Sequence, residues 1–397
     1  MNLDLIFAII FYGVIFLLFL KYRKKFEIQN KIFVLYKTKI GIKLMDKLSK
    51  KIPRSLYYIG YLSIFIGFLG MIITFFFLLK GVYNMIFLPA AQPVVAPILP
   101  GISIPGIPQL SFWHWIIAIL ITAAVHEFFH GVYARLSNIK IKSSGFAFLG
   151  PILAAFVEPD EKQMAKKSKR SQLAILSAGP FSNIILGFVF LAIGIFILSP
   201  LASSVMELNG VQIIDINKDL PIGKSDLKPG DLILSIDNEA IINHTQFSDI
   251  IKSHKPGDIL QIQTQNKTAN VELSSNPENQ SMPLLGVSIG YVKADIKPSI
   301  KEKFGNIPLA LFWLLKLVFW IYAINLGVGL FNLLPLGPVD GGKIFYLAAL
   351  HFTKEEAKAK KIYQYITLVC LLLIFINMLP FIIKLLSFLV QPLLFLF

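Results

Sequence analysis

The sequence predicts a polytopic α-helical membrane protein of about six transmembrane segments, with a membrane-embedded β-hairpin and one inserted α+β domain. Three observations carry this reading. Of 397 residues, 55% are hydrophobic and 15% charged, with a mean hydropathy of +0.67, whereas soluble chains are nearer a quarter charged. Several apolar runs reach the roughly 20 residues that a helix needs to cross a bilayer. From about Ser203 to Val292 the composition switches to short alternating segments separated by turn residues, as in a soluble domain.

The first run, Leu3 to Leu20, lacks the small-residue cleavage site of a signal peptide and leads into basic sequence, so it is expected to remain as an anchor. Residues 21–54 hold twelve Lys or Arg against Glu27 and Asp46, which assigns this loop to the cytoplasm. A second span runs from about Tyr57 to Leu79. The uncharged "LPAAQPVVAPILPGISIPGIPQL" follows, and its six prolines forbid a continuous helix. It is expected to be a non-cytoplasmic loop lying on or dipping into the membrane. A third span, about Phe112 to Ala134, ends at Arg135, Lys140 and Lys142. Next, "KSSGFAFLGPILAAFVEP" is apolar but broken by glycines and proline into alternating pieces, which suggests a β-hairpin. Residues 173–198 form a fourth span and about Ile307 to Leu334 a fifth. The sixth apolar run starts near Tyr363, with Pro380 offering a break within it. Every basic loop then falls on one side, so the net charge of +15 reads as a topology signal rather than nucleic-acid affinity. The single cysteine, Cys370, excludes an intrachain disulfide or a cysteine metal cluster.

In the soluble stretch, "GVQIIDI", "DLILSID" and "DILQIQTQ" read as strands. "LKPGDLILSIDNEAI" resembles the PDZ fold, with a Pro-Gly-Asp turn, a strand, an Asp-Asn turn and another strand. "TQFSDIIKSH" supplies an amphipathic helix with Phe247, Ile250 and Ile251 on one face.

The chemistry concentrates in "TAAVHEFFHGVYA", residues 122–134. Charged side chains at membrane depth are costly and usually face a protein interior where they have work to do. His126 and His130 are four apart, hence on one helix face and about 6 Å apart along the axis. Two imidazoles so placed can bind one Zn²⁺, while Glu127 beside them can hold an attacking water. A catalytic zinc needs a third protein ligand. Of the 23 acidic residues, only Glu127 and Asp340 lie well within apolar surroundings, with Asp4 and Glu158 at segment edges. His114 is roughly 18 Å up the same helix, His244 and His254 belong to the soluble domain, and His351 to a cytoplasmic loop. Asp340 is the best third ligand by elimination. Capping a helix that starts near Gly341 is its other reading, and both can hold.

"HEFFH", "SAGPFSN" and "NLLPLGPVDGGK", in that order and with a PDZ-like insert between the last two, resemble the motifs of the site-2 proteases, which are intramembrane zinc peptidases. The resemblance spans about Trp113 to Lys343 and leaves the first 110 residues uninterpreted. It implies one zinc per chain held by His126, His130 and Asp340, with Glu127 as general base. Asn183 is implied to lie near the metal, stabilising an oxyanion or holding substrate backbone. Gly145, Phe146, Ala147 and Phe148 become the hairpin edge to which an unwound substrate strand adds. Asn332 and Pro335 shape the segment presenting Asp340 and touch substrate. The function implied is hydrolysis of peptide bonds within or near transmembrane segments. The partners are transmembrane protein substrates and the lipid bilayer, not nucleic acid, with an upstream site-1-type protease compatible with the pattern. The expected location is the cell membrane, with the PDZ-like domain outside the cytoplasm and the zinc near the cytoplasmic face. Two rivals are a divalent-metal transporter, for which the other spans offer few polar residues, and a non-catalytic adaptor, which has no need of an intact metal set.

Overall fold

Packing apolar side chains without burying unpaired backbone leaves helices and paired strands as the available elements. The computed structural model describes residues 3–29, 33–88, 93–100, 107–149, 152–208, 211–242, 244–276, 279–290 and 294–394. Its helices are, in chain order, α1 (Leu3–Lys21), α2 (Ile42–Lys51), α3 (Pro53–Phe87), α4 (Phe112–Leu136), α5 (Glu161–Ala165), α6 (Lys169–Ile193), α7 (Ser199–Val205), α8 (His244–Ser253), α9 (Pro298–Phe304), α10 (Leu309–Asn332), α11 (Asp340–Thr353) and α12 (Glu356–Leu394). Six stretches, namely α1, α3, α4, α6 continuing into α7, α10 and α12, are long and apolar enough to cross a membrane. Phe65, Ile72, Phe76 and Phe196 are each more than half exposed, an outward apolar surface that suits lipid and not water. In α12 the helix runs through Pro380 without the expected break. Among the described residues of 88–111 there is no helix, as the prolines require, and the Trp115 indole N–H donates to the Ile98 carbonyl at 3.0 Å.

The chain divides into two units, Met1–Gly194 with Lys316–Phe397, and Ile195–Leu315. In the first, α4 packs on α6 and α2 through Val132, Tyr133, Ala134, Ala174, Ala178 and Met45. Small residues let the helices approach closely. A Cβ on Gly329, for instance, would meet the Pro180 carbonyl at 3.0 Å.

The expected hairpin forms from β3 (Ile141–Leu149) and β4 (Ile152–Pro159), its tip residues 150–151 lying outside the described residues. It is not alone. The basic stretch read as a loop contributes β1 (Phe26–Gln29) and β2 (Phe33–Thr38), giving an antiparallel sheet in the order β1-β2-β3-β4. "FVLY" within β2 is rich in strand formers; the surrounding lysines obscured that signal. α2 follows, and its Asp46 pairs with Arg135 at the end of α4.

The second unit contains a six-stranded sheet built on Val211–Ile216, Leu232–Ile236 and Ile259–Thr264, the three strands read from sequence. Leu260, Ile262 and Thr264 alternate inward, and Phe247 and Ile251 of α8 are buried in the same core with Ile250 packed against it. Gly230 at φ +99°, in the Pro-Gly-Asp turn, and Asp237 and Asn238, at φ 48° and 66°, occupy turn conformations suited to those residues.

Gly145 sits where β3 meets β2, and a Cβ there would run into the Tyr36 carbonyl. Overpacking of this kind costs about 1–3 kcal/mol. Gly145→Val is expected to loosen β2 and speed limited trypsin cleavage at Lys37 and Lys39 roughly tenfold. Unchanged digestion would show that the β2–β3 pairing does not hold this segment.

Candidate metal centre

Three elements converge on one point. His126 and His130 project from one face of α4, and Asp340 opens α11. Asp340 Oδ2 lies 3.0 Å from His126 Nε2 and 3.1 Å from His130 Nε2, and the two imidazole nitrogens are 3.0 Å apart. Asp340 is the first helical residue, and no side chain caps α11, so its carboxylate serves the histidines and not the cap. The following glycines allow this placement. A Cβ on Gly341 would strike the carbonyls of Leu333 and Leu334, and one on Gly342 that of Leu336.

The third wall is α6, which carries Pro180 within it. Gly179, just before that proline, faces the centre so closely that a Cβ would abut Nε2 of both histidines. The backbone therefore leaves a space beside the three ligand atoms, which all lie within 4.8 Å of one another. Two neutral imidazoles and a carboxylate around such a space fit a divalent cation of zinc type.

Metal-binding histidines normally donate their other ring N–H to a fixed acceptor, which sets the tautomer. His130 Nδ1 donates to the Ile175 carbonyl at 2.7 Å. His126 Nδ1 faces the side-chain amide of Asn183 at 3.1 Å. Asn183 is fully buried, and with its nitrogen turned to the ring its Oδ1 has no partner. Exchanging the amide oxygen and nitrogen, which have nearly the same shape, lets the oxygen accept the His126 Nδ1 proton. Both rings then present Nε2 lone pairs to the same point.

Glu127, next to His126, is half-buried, and its Oε2 accepts a hydrogen bond from the Val157 main-chain N–H on β4 at 2.9 Å. A cavity of about 650 Å³ opens on His126, Glu127, His130 and Asp340, with Asn332 and Val157 in its wall and Lys142, Glu158, Glu161 and Lys343 also lining it. Water can thus reach buried ligands through a polar space.

Residues 114–375 match peptidase family M50. The chain belongs to that family. Its motifs are those of the site-2 proteases, and its apolar helices make it a multi-pass membrane protein. Among its relatives, the uncharacterized protein MJ0971 of Methanocaldococcus jannaschii is 35% identical over 325 residues, covering 78% of this chain and 76% of that one. The zinc metalloprotease RasP of Geobacillus kaustophilus is 22% identical over 269 residues, covering 55% of this chain and 61% of its own length. A crystal structure of the PDZ domain of an SdrC-like protein from Listeria monocytogenes is 28% identical, covering 20% of this chain and 87% of that domain, with a TM-score of 0.19.

Within this M50 chain, His126, His130, Asp340 and Glu127 come together as the sequence implied. Asn183 lies in the same cluster and contacts Nδ1 of His126, the ring nitrogen turned away from Asp340. Gly145 to Phe148 need correction as a binding edge, because β3 is hydrogen-bonded to β2 on one side and β4 on the other. Within the hairpin the edge is β4, with β1 at the far side of the sheet. Val157 N–H points away from β3, so alternation directs the N–H and C=O groups of Ala155 and Leu153 the same way, and among the described residues no strand pairs there. Asn332 lines the cavity while donating to the Val328 carbonyl at 3.0 Å, whereas Pro335 is buried in the turn before Asp340 and outside the cavity wall. Glu158 accepts from Ser143 Oγ at 2.6 Å and lies 3.7 Å from Lys37 Nζ, so it is not a ligand. His114 contacts Ser111 at the opposite end of α4. Gly179 and the Val157 amide escaped sequence reasoning. A main-chain donor leaves no residue-type signal, and Gly179 passed as part of a motif.

Gly179→Ala puts a methyl group against the ligand atoms, so zinc measured by elemental analysis is expected to fall from about one per chain to near zero with helix content unchanged. Asn183→Ala is expected to weaken zinc affinity about 10–100-fold, while Asn183→Asp, which still offers an acceptor, retains most of it. Wild-type zinc affinity in Asn183→Ala would remove the orienting role.

Proposed function

We propose that this protein is an intramembrane zinc metalloendopeptidase that hydrolyses peptide bonds within or near transmembrane segments of membrane-protein substrates, in regulated intramembrane proteolysis. The observation that carries the reading is the convergence of two histidines, one aspartate and a neighbouring glutamate on membrane-grade helices around a polar cavity. Zinc bound by His126, His130 and Asp340 would supply a Lewis acid that polarises the scissile carbonyl and acidifies water. Glu127 then takes a proton from the attacking water and delivers it to the leaving amine. Family membership and the naming of a relative as a zinc metalloprotease support this assignment. The basic segments bordering the cavity support a site near the cytoplasmic face, with the PDZ-like domain on the other side, in the cell membrane.

A helical substrate hides its carbonyls, so a segment must unwind before attack. The edge of β4 offers Leu153, Ala155 and Val157 main-chain groups to such a strand. The Val157 N–H is the donor now held by Glu127. Strand addition to this position transfers that donor to a substrate carbonyl and releases the carboxylate to act on water. Substrate docking and freeing of the base become one event.

Two outcomes follow. Glu127→Gln is expected to keep zinc while cleavage of a reconstituted single-span substrate falls at least a hundredfold, in line with the general-base contribution; near-normal cleavage would refute the assignment. Glu127→Ala removes the competitor for the Val157 N–H, whereas Glu127→Gln keeps an acceptor there. An uncleaved strand-forming peptide should bind the alanine variant about tenfold more tightly, a difference of about one hydrogen bond to a charged group. In a Val157→Pro background, tolerated at an outward-facing edge position, that difference should vanish. Persistence of the difference would show that the two events are not linked.

A further inference from the structure

A second cavity, of about 340 Å³, lies away from the metal between α1 and the sheet. Tyr12, Phe16 and Phe19 of α1 form one wall, and Phe26, Val34 and Phe148 of β1, β2 and β3 form the other. It is an apolar groove. Phe19 and Phe26 lie 5.3 Å apart between ring centres with their planes tilted, and Phe26 in turn meets Phe148 edge-on at 6.4 Å. These two phenylalanines bracket the turn that ends α1, so the groove terminates where the chain becomes strongly basic.

That turn carries Lys21, Arg23, Lys24 and Lys25, all exposed. Among the described residues none of the four forms an ion pair, while the nearest acid in sequence, Glu27, is held by Lys37 at 2.7 Å. The Lys21 and Lys25 ammonium groups gather over the Tyr22 ring at 5.6 and 5.3 Å. Four uncompensated cations at the end of a span, beside a groove running back along that span, match the two halves of one ligand class.

We propose that an anionic phospholipid seats an acyl chain in this groove and its phosphate on the Lys21–Lys25 turn. Zwitterionic lipid offers the same chain without the net charge, and a free phosphate offers the charge without the chain. The lipid would bridge α1 to β1, β2 and β3. This binding is separate from the proteolytic reading, because none of the groove residues borders the metal cavity.

The test uses full-length protein, delipidated in detergent and titrated with phosphatidylglycerol or phosphatidylcholine under native mass spectrometry. One phosphatidylglycerol per chain is expected, bound at least tenfold more tightly than phosphatidylcholine. Replacing Arg23, Lys24 and Lys25 with Gln together is expected to lower its affinity by about a hundredfold, from the usual contribution of a basic residue at an anionic surface. Ile15→Trp, at a residue that also lines the groove, and Val34→Phe are each expected to lose the lipid while keeping every charge. Zinc content checks that each variant is folded. Equal binding of the two lipids, or lipid retention in both groove-filling variants, would overturn the proposal, the latter by reducing the effect to surface charge.

Discussion

Three polar side chains must meet in a space too small for a methyl group, inside helices that are otherwise apolar. The rest of the first unit answers to that demand. A buried polar group without a partner costs about 1–3 kcal/mol, more if it is charged, so His126 and His130 need fixed partners behind them and a shared one in front. Asn183 and the Ile175 carbonyl meet the first need and Asp340 the second. Both rear partners lie on α6, which is why the fit of α4 to α6 and the site's geometry cannot be separated. Gly179 sets how near α6 comes, and Gly341 and Gly342 set how near Asp340 comes.

The grouping of His126, His130 and Asp340 was legible because the reasoning behind it is local or subtractive. A four-residue spacing puts two imidazoles on one face without knowing the fold, and few acidic residues lie in apolar surroundings. The PDZ-like strands were legible for a similar reason, since alternation and turn residues are read within about ten positions. Pro380 shows where local rules fail. Proline in a helix interior is normally disruptive, yet α12 continues through it, packed through Cys370 and Leu373 against α3 and the turn before Asp340. Asn377, one turn before Pro380, also donates to the Leu78 carbonyl of α3 at 3.2 Å.

The N-terminal strands were illegible for a different reason. β2 pairs with β3 across more than a hundred residues, Phe33 opposite Leu149 and Thr38 opposite Ser144. No window of sequence contains both partners. Charge pointed the wrong way as well: lysines that mark a cytoplasmic loop are equally at home on a strand edge or beside one, where they discourage further pairing. Topology and strand formation were not alternatives. A basic segment can lie on the cytoplasmic side and still complete a sheet.

That addition decides which edge is available. With β3 alone beside β4, both edges of the hairpin would be open. With β1 and β2 in place, β3 is interior and the sheet keeps only β1 and β4 as edges. Strands are spaced about 4.8 Å apart, so β1 lies three strands from β4, while Glu127 bonds directly to β4 through Val157. Of the two edges, β4 is the one beside the His126, His130 and Asp340 group. The residues that carry no motif therefore settle which edge borders the polar cavity, and Leu35 of β2 itself lines that cavity.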